Sequence, residues 1–216
     1  MRTSFGDRTE AGQLLAEQLR AYERRPDTMV LALPRGGVPV GYEIAVALGL
    51  PLDVFVVRKL GVPGQRELAM GAIASGGVRV LNEDVLRAMP DAAATVAEIT
   101  AEETREVERR ERDYRQERPA PELQGRTVIL VDDGLATGAT MLAGIAALRR
   151  QDPARIVVAV PVCPPETLGE IERAADETVA LFAPAWFRGV GQFYGDFAQV
   201  SDETVRDLLA RAARRE

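Results

Sequence analysis

The sequence has 216 residues, of which 46% are apolar, 28% charged and 5% aromatic. That is enough apolar content to bury a substantial core and too few rings for a base-stacking module. Its 33 acids against 27 bases leave a formal charge of −6, which gives no general attraction to nucleic acid or to an anionic membrane surface. The chain has no histidine and one cysteine, Cys163. This excludes a histidine-based zinc site, a Ser-His-Asp triad, a Cys-His pair and an intrachain disulfide. Chemistry is left to carboxylates, backbone amides, 26 arginines and a single lysine, Lys59; the arginine bias of the whole composition explains that lysine's isolation as well as a special role does. No apolar run reaches the roughly 18 to 20 residues of a spanning helix, and the first residues lack an apolar signal core, which predicts a cytoplasmic protein without membrane contact.

In chain order, Asp7 and Glu10 stand at capping-box spacing. They open a helix over 7–25, with Leu14, Leu15 and Leu19 on one face and Pro26 beyond its end. The apolar run Met29 to Leu33 predicts a buried strand, Pro34-Arg35-Gly36-Gly37 a turn, and Val38 to Leu48 a helix. Leu52 to Val57 predicts a second strand running into Arg58 and Lys59. The eleven residues after it, 60–70, carry Gly and Pro without periodicity and predict a mobile loop. Gly71 to Leu81 has a hairpin pattern about Gly76-Gly77.

Residues 92–118 are almost continuously helix-forming and charged. Glu106 and Arg110, Glu108 and Arg112, and Glu111 and Arg115 stand at i,i+4 spacing. Val96, Ile99, Val107 and Tyr114 supply a thin apolar stripe, which suits either a solvated helix packed along one edge or a partner-binding helix. After Pro119 and Pro121 come a strand Thr127 to Val131, a glycine loop, a helix from Thr140 to Arg150, a strand Arg155 to Val160, a helix Glu166 to Ala174 and a strand Glu177 to Leu181. This alternation predicts parallel strands with right-handed crossovers. Ser201 to Arg214 reads as a capped amphipathic helix.

The informative stretch is Val128-Ile129-Leu130-Val131-Asp132-Asp133-Gly134-Leu135-Ala136-Thr137-Gly138-Ala139-Thr140. Four apolar residues make a buried strand, and the two carboxylates stand where it emerges at the ligand-binding edge of a parallel sheet. Gly134, Ala136, Gly138 and Ala139 let backbone N–H groups approach a ligand. Thr137 and Thr140 add hydroxyls, and a helix N-terminus follows at once, so the loop reads as a phosphate cradle. It is not a Walker motif, because the GxxxxGK[ST] pattern is absent. Adjacent carboxylates beside a phosphate repel each other unless they face a diol or a hydrated metal ion, and a sugar phosphate satisfies both halves.

These thirteen residues resemble the phosphoribosyl pyrophosphate (PRPP) signature of the type I phosphoribosyltransferases: four hydrophobics, two acids, then a Gly/Ala/Thr loop ending in Thr-Gly-x-Thr. The resemblance implies an α/β fold, an open, mostly parallel twisted sheet flanked by helices with a small hood, to which this chain adds a charged helix. The lack of an internal repeat or low-complexity linker predicts one domain over 1–216 with an elaborated edge; the resemblance covers a core at 28–182, makes the charged helix at 92–118 an elaboration of it and gives hood candidates at 71–82 and 184–197. Together with Leu-Pro-Arg-Gly-Gly at 33–37 and Tyr-Gly-Asp-Phe at 194–197, it is similar to a poorly characterised bacterial group of predicted phosphoribosyltransferases.

By that resemblance, Asp132 and Asp133 hold the ribose hydroxyls. The loop of Gly134, Ala136, Thr137, Gly138, Ala139 and Thr140 wraps the 5′-phosphate. Arg35, Gly36 and Gly37 would grip pyrophosphate, in the family usually beside a non-prolyl cis peptide, although a plain β-to-α turn with a surface arginine fits the same residues. Arg58 and Lys59 fall where the family has a closing loop that brings basic side chains to the pyrophosphate. Mg²⁺ is implied as the cofactor, with Asp132 or Asp133 in its outer sphere. Ala136 stands where some purine-using members have an aspartate, so that base is absent; Glu67 falls where adenine-using members have a loop glutamate. Trp186, Phe187, Phe193 and Tyr194 either stack on a heterocyclic acceptor or pack beneath the tail helix.

The implied partners are PRPP and a small-molecule acceptor, with no nucleic acid and no membrane; a homo-oligomer is compatible with the sequence. The implied activity is Mg-dependent transfer of a phosphoribosyl group to a nitrogen nucleophile, a nucleobase or related heterocycle. The competing readings are a non-catalytic PRPP or nucleotide sensor on the same fold and a hydrolase or phosphorylase of a pentose phosphate.

Overall fold

The structure of the protein, a computed structural model, describes residues 4–63, 65–89, 92–116 and 118–215. Helix α1 (Arg8–Gln18) precedes strand β1 (Thr28–Ala32), helix α2 (Gly37–Leu48) and strand β2 (Leu52–Val54). Strands β3 (Val57–Val62), β4 (Gln65–Ala74) and β5 (Val78–Leu81) follow, then the short helix α3 (Glu83–Arg87) and the long helix α4 (Ala92–Arg115). The remaining elements alternate: β6 (Thr127–Val131), α5 (Ala139–Arg149), β7 (Arg155–Val162), α6 (Pro165–Ala174), β8 (Glu177–Phe182) and α7 (Asp202–Ala213).

The main sheet has five strands in the order β2-β1-β6-β7-β8, and every pairing is parallel. Every residue of β1 and β6 is buried, as a central strand covered on both faces requires. Alternate side chains face opposite layers. Val30, Ala32, Ile129, Val131, Val157 and Ala159 meet α1, α2 and α7, whereas Met29, Leu31, Val128, Leu130, Ile156 and Val158 meet α5 and α6. Helix α1 starts on the Asp7 cap, whose carboxylate accepts from the Glu10 N–H, and α7 starts on Ser201, whose Oγ accepts from the Thr204 N–H.

The predicted strand Leu52 to Val57 is two strands. β2 pairs with β1, after which Phe55 and Val56 carry the chain into a separate antiparallel sheet, β3-β4-β5. The changeover is pinned by Phe55 N–H donating to the Ala32 carbonyl and Val56 N–H donating to Ser75 Oγ. The predicted loop 60–70 is likewise corrected. Residues 60–62 lie in β3 and 65–70 in β4, because Leu60, Val62 and Met70 are buried in the same apolar cluster as Val96 and Val107 of α4. Burial against α4 overrode the local Gly and Pro signals. The hairpin about Gly76-Gly77 forms as predicted, with Gly71 opposite Leu81.

Helix α4 forms all three expected i,i+4 ion pairs, and its stripe of Val96, Val107 and Tyr114 is buried. Its last residue, Arg115, is buried too. Its Nε donates to both oxygens of Asp53 (3.1 and 2.8 Å), Nη1 to Glu111 Oε1 (2.6 Å) and Nη2 to the Val54 carbonyl (3.0 Å). Removing the guanidinium leaves two acids without their cation, and breaking such a pair from one side is far costlier than exchanging both partners. Arg115→Ala is expected to lower unfolding stability by about 3 kcal/mol in chemical denaturation, whereas Glu108→Ala, on the exposed face, changes it by less than about 0.5 kcal/mol.

Candidate functional site

Strand order alone places the site. From β1 the chain moves outward to β2 and later returns to β6 on β1's other side, so the loops leaving β1 and β6 diverge from a switch point. A crevice opens there at the carboxyl ends of the strands. The β1 loop is Leu33-Pro34-Arg35-Gly36-Gly37, with a cis peptide between Pro34 and Arg35. The β6 loop begins with Asp132 and Asp133 and ends at Gly138, the N-cap of α5.

The two loops touch. A Cβ on Gly36 would lie 2.0 Å from Asp133 Oδ2, and one on Gly37 would lie 2.7 Å from the Val131 carbonyl oxygen and 3.0 Å from Asp132 Cα. Within the β6 loop, Gly138 has φ +69°, and a Cβ there would meet Thr167 Cγ2 at 2.7 Å; both facts demand glycine. Thr167 Oγ1 donates to the Ala136 carbonyl at 2.7 Å, tying the loop to α6. Ala136 and Thr137 are exposed, and Ala139 and Thr140 are half-buried at the first turn of α5. The first turn of a helix presents N–H groups without intrahelical partners and a partial positive charge, which suits an anion.

The two acids differ. Asp132 is half-buried, and its Oδ1 accepts from the Asp133 N–H at 2.8 Å. Burial and the neighbouring Asp133 push its carboxyl well above the usual range. Asp133 is buried, and its Oδ2 accepts from Arg8 Nε at 2.8 Å. Burial pushes Asp133 up as well, with Arg8 opposing it. Tyr194 OH donates to the Asp133 main-chain carbonyl at 2.6 Å, and burial together with Asp133 raises the phenol so that it keeps its proton.

Of the basic residues singled out in the sequence, Arg35 stands in the β1 loop, half-exposed, with Nη1 3.9 Å from Asp202 Oδ1 at the start of α7. Tyr114 OH donates to that same Asp202 oxygen at 2.6 Å. Arg58 pairs with α4: its Nε and Nη2 grip both oxygens of Glu103, at 2.6 and 3.1 Å. Adjacent strand residues point to opposite faces, so Lys59, which is exposed, is directed away from Arg58. Glu67 belongs to β4, and its side chain lies outside the described residues.

The hood candidates separate. The turn at Ser75–Gly77 packs on Gln151, whose Nε2 donates to the Ser75 carbonyl at 3.2 Å. Gln151 follows the C-terminal end of α5, so this turn lies at the end of the helix opposite the β6 loop. The segment 184–197 does reach the site. Val190 is the side chain a Cβ on Gly134 would strike, at 2.5 Å, and Tyr194 holds Asp133. Its aromatics are not beneath the tail helix: Phe193 and Tyr194 pack with Phe5, Ala11 and Val162, and Phe187 stacks on Phe193 at 5.5 Å. Trp186 is 78% exposed.

Sequence reasoning missed Arg8, which reaches Asp133 across 125 residues; no local pattern distinguishes it from any polar residue in a first helical turn. Among the described residues no group of three or more His, Cys, Asp or Glu forms a metal cage, and no helix is long and apolar enough to cross a membrane. Tyr194→Phe is expected to lower unfolding stability by about 1 to 2 kcal/mol, since the buried Asp133 carbonyl loses its donor, read as a shift of the denaturation midpoint without a change in slope.

A family model described as the phosphoribosyl transferase domain matches residues 8–197. Two Mycobacterium tuberculosis proteins, from strains CDC 1551 / Oshkosh and H37Rv, are each provisionally named a phosphoribosyl transferase. Each is 46% identical over 210 residues, which is 97% of this chain and 47% of theirs. The chain therefore spans about half the length of the curated relatives it matches. The crystal structure of TT1426 from Thermus thermophilus resembles this fold with a TM-score of 0.86 at 43% identity, covering 96% of this chain and 98% of that one.

Proposed function

The chain belongs to the phosphoribosyl transferase family, and from that premise we propose that it moves a 5-phosphoribosyl group from PRPP to a nitrogen nucleophile, a nucleobase or related heterocycle, with release of pyrophosphate. The observation that carries this is the direct contact between the β1 and β6 loops. It sets the loop that carries Arg35 beside the two acids and the loop leading to the start of α5, which supports the reading.

In this reading the backbone donors of 136–140 and the positive end of α5 hold the 5′-phosphate, and the carboxyl groups of Asp132 and Asp133 orient the ribose hydroxyls. Arg35 and the Gly36 amide face the pyrophosphate, whereas the Gly37 N–H is already given to the Leu33 carbonyl at 3.1 Å. A guanidinium binds two phosphate oxygens at once, and its charge grows in value as negative charge leaves C1 of the sugar. Lys59, on the hairpin of β3 and β4, adds a second cation to that leaving group; Arg58, held by Glu103, is not assigned to it. Glu67, on the same hairpin, is the candidate for taking the proton of the acceptor nitrogen. The protein's work is positioning and charge stabilisation rather than covalent catalysis.

The donor set fits a magnesium ion that keeps substrate oxygens and water as its principal ligands. Two neighbouring carboxylates are present, and Asp133 is already satisfied on one oxygen by Arg8. Asp132 and Asp133 would hold such an ion from its outer sphere. When bound it supplies positive charge to the pyrophosphate oxygens.

The test incubates the protein with PRPP and Mg²⁺ and a panel of purines, pyrimidines and small amines, following pyrophosphate. Release dependent on one acceptor supports the transferase; PRPP binding with no turnover on any acceptor supports a sensor instead. In the active system Lys59→Ala is expected to lower kcat by on the order of a hundredfold while moving PRPP affinity only a few-fold. Unchanged turnover removes Lys59 from the mechanism.

A further inference from the structure

The contact that sequence reasoning missed gives the ribose site an additional member. Arg8 and Asp133 are both largely enclosed, at 11% and 13% side-chain exposure, so their pairing is not a screened surface contact. The guanidinium is fixed in three ways. Nε donates to Asp133 Oδ2 at 2.8 Å, Nη1 donates to the Ala198 carbonyl at 2.9 Å, and its central carbon sits 4.0 Å from the centroid of the Phe197 ring. On the other side of Asp133, the absence of a side chain on Gly36 is what makes room for Oδ2. One carboxylate oxygen is thus committed inside the protein. Among the described residues, Asp132 has no comparable cation bonded to it: its Oδ1 accepts a neighbouring N–H, and Arg8 acts on it only through space.

Building on the phosphoribosyl-transfer reading, we propose that Arg8 is a positioning residue of the ribose site, holding Asp133 in one orientation and offsetting its charge beside Asp132, so that the pair presents its remaining acceptor positions to the sugar hydroxyls. Two adjacent carboxylates receiving a polyanionic donor repel each other and it, and a fixed cation within bonding distance of one of them offsets part of that cost before any sugar or metal ion arrives. Arg8 is that cation, and it comes from α1, far from either signature loop. Arginine is required rather than any base. Only its planar fork can bond an acid, bond a carbonyl and lay a face on an aromatic ring together, whereas a lysine ammonium supplies charge without that fixed orientation.

The experiment is a double-mutant cycle read by calorimetric titration of the whole protein with PRPP and Mg²⁺, with steady-state kinetics alongside. Arg8→Gln is expected to raise the PRPP dissociation constant and KM about tenfold, with kcat within about twofold and the acceptor KM unmoved. In an Asp133→Asn background the same substitution is expected to add nothing, because Arg8 acts through Asp133. Equal PRPP affinity in wild type and Arg8→Gln overturns the proposal. So do effects that add across the cycle, which would make Arg8 a direct substrate contact. Should Arg8→Gln fail to fold, Arg8→Lys carries the test: a weakened PRPP affinity with an unshifted melting temperature upholds the proposal, and wild-type affinity overturns it. A wild-type protein that neither binds PRPP nor releases pyrophosphate overturns the transferase and PRPP-sensor readings together, and this inference with them. Wild-type binding with an unaffected Arg8→Gln overturns this inference alone.

Discussion

Everything at the site depends on how closely two neighbouring strands let their exit loops approach. β1 and β6 run side by side in register from Thr28 opposite Thr127 to Ala32 opposite Val131, so their chains leave the sheet only about 4.8 Å apart. Any side chain at Gly36 would occupy the space of the Asp133 carboxylate, and any at Gly37 would strike the backbone of Val131 and Asp132. The two glycines are therefore a geometric requirement of the crevice, independent of what binds in it. They bring the backbone of one loop against the acids of the other.

That closeness has an electrostatic cost, since it desolvates two adjacent carboxylates. The surrounding structure is arranged to offset it. Arg8 bonds one carboxylate, Tyr194 satisfies the main-chain carbonyl behind it, and the Asp133 amide bonds its predecessor's side chain. Arg8 and Tyr194 come from segments well separated from the central loops. Those segments are joined to each other by Phe5 N–H donating to the Phe193 carbonyl, and by the stacking of Phe5 on Phe182 and of Tyr194 on Phe197. The aromatic cluster thus packs the wall of the acid site, and beside it Trp186 is the ring turned furthest to solvent.

What was legible in the sequence follows from how local each signal is. The β6 strand, its acids and its glycine loop form one contiguous run whose apolar, acidic and small residues each have a single structural use. The strand spans Thr127 to Val131, as its residues predicted. The starts of the capped helices were legible for the same reason, although α1 ends at Gln18 and does not run on to residue 25. The hairpin of β3 and β4 was not, because its strand character comes from Leu60, Val62 and Met70 meeting α4, some tens of residues later in the chain, while Gly61 and Pro63 send the opposite local message. The break between β2 and β3 depends on Ser75 capturing Val56. Arg8 depends on a partner 125 residues distant. In each case the deciding energy is tertiary, and periodicity contains no trace of it.

The charged helix α4 illustrates how the same distinction settles its role. Its sequence allowed either a solvated strut or a partner-binding surface. The apolar stripe that would have served a partner is spent inside the chain, with Val96, Val107 and Tyr114 buried against β3, β4 and α7. The polar contacts lead inward as well: Glu103 to Arg58 of β3, Arg115 to Asp53 of β2, and Tyr114 to Asp202, which in turn lies beside Arg35. A helix that bonds the second sheet, the edge of the main sheet and the start of α7 acts as a framework element. Because Asp202 stands between Tyr114 and Arg35, that framework extends to the arginine of the β1 loop, so α4 belongs to the architecture around the two exit loops.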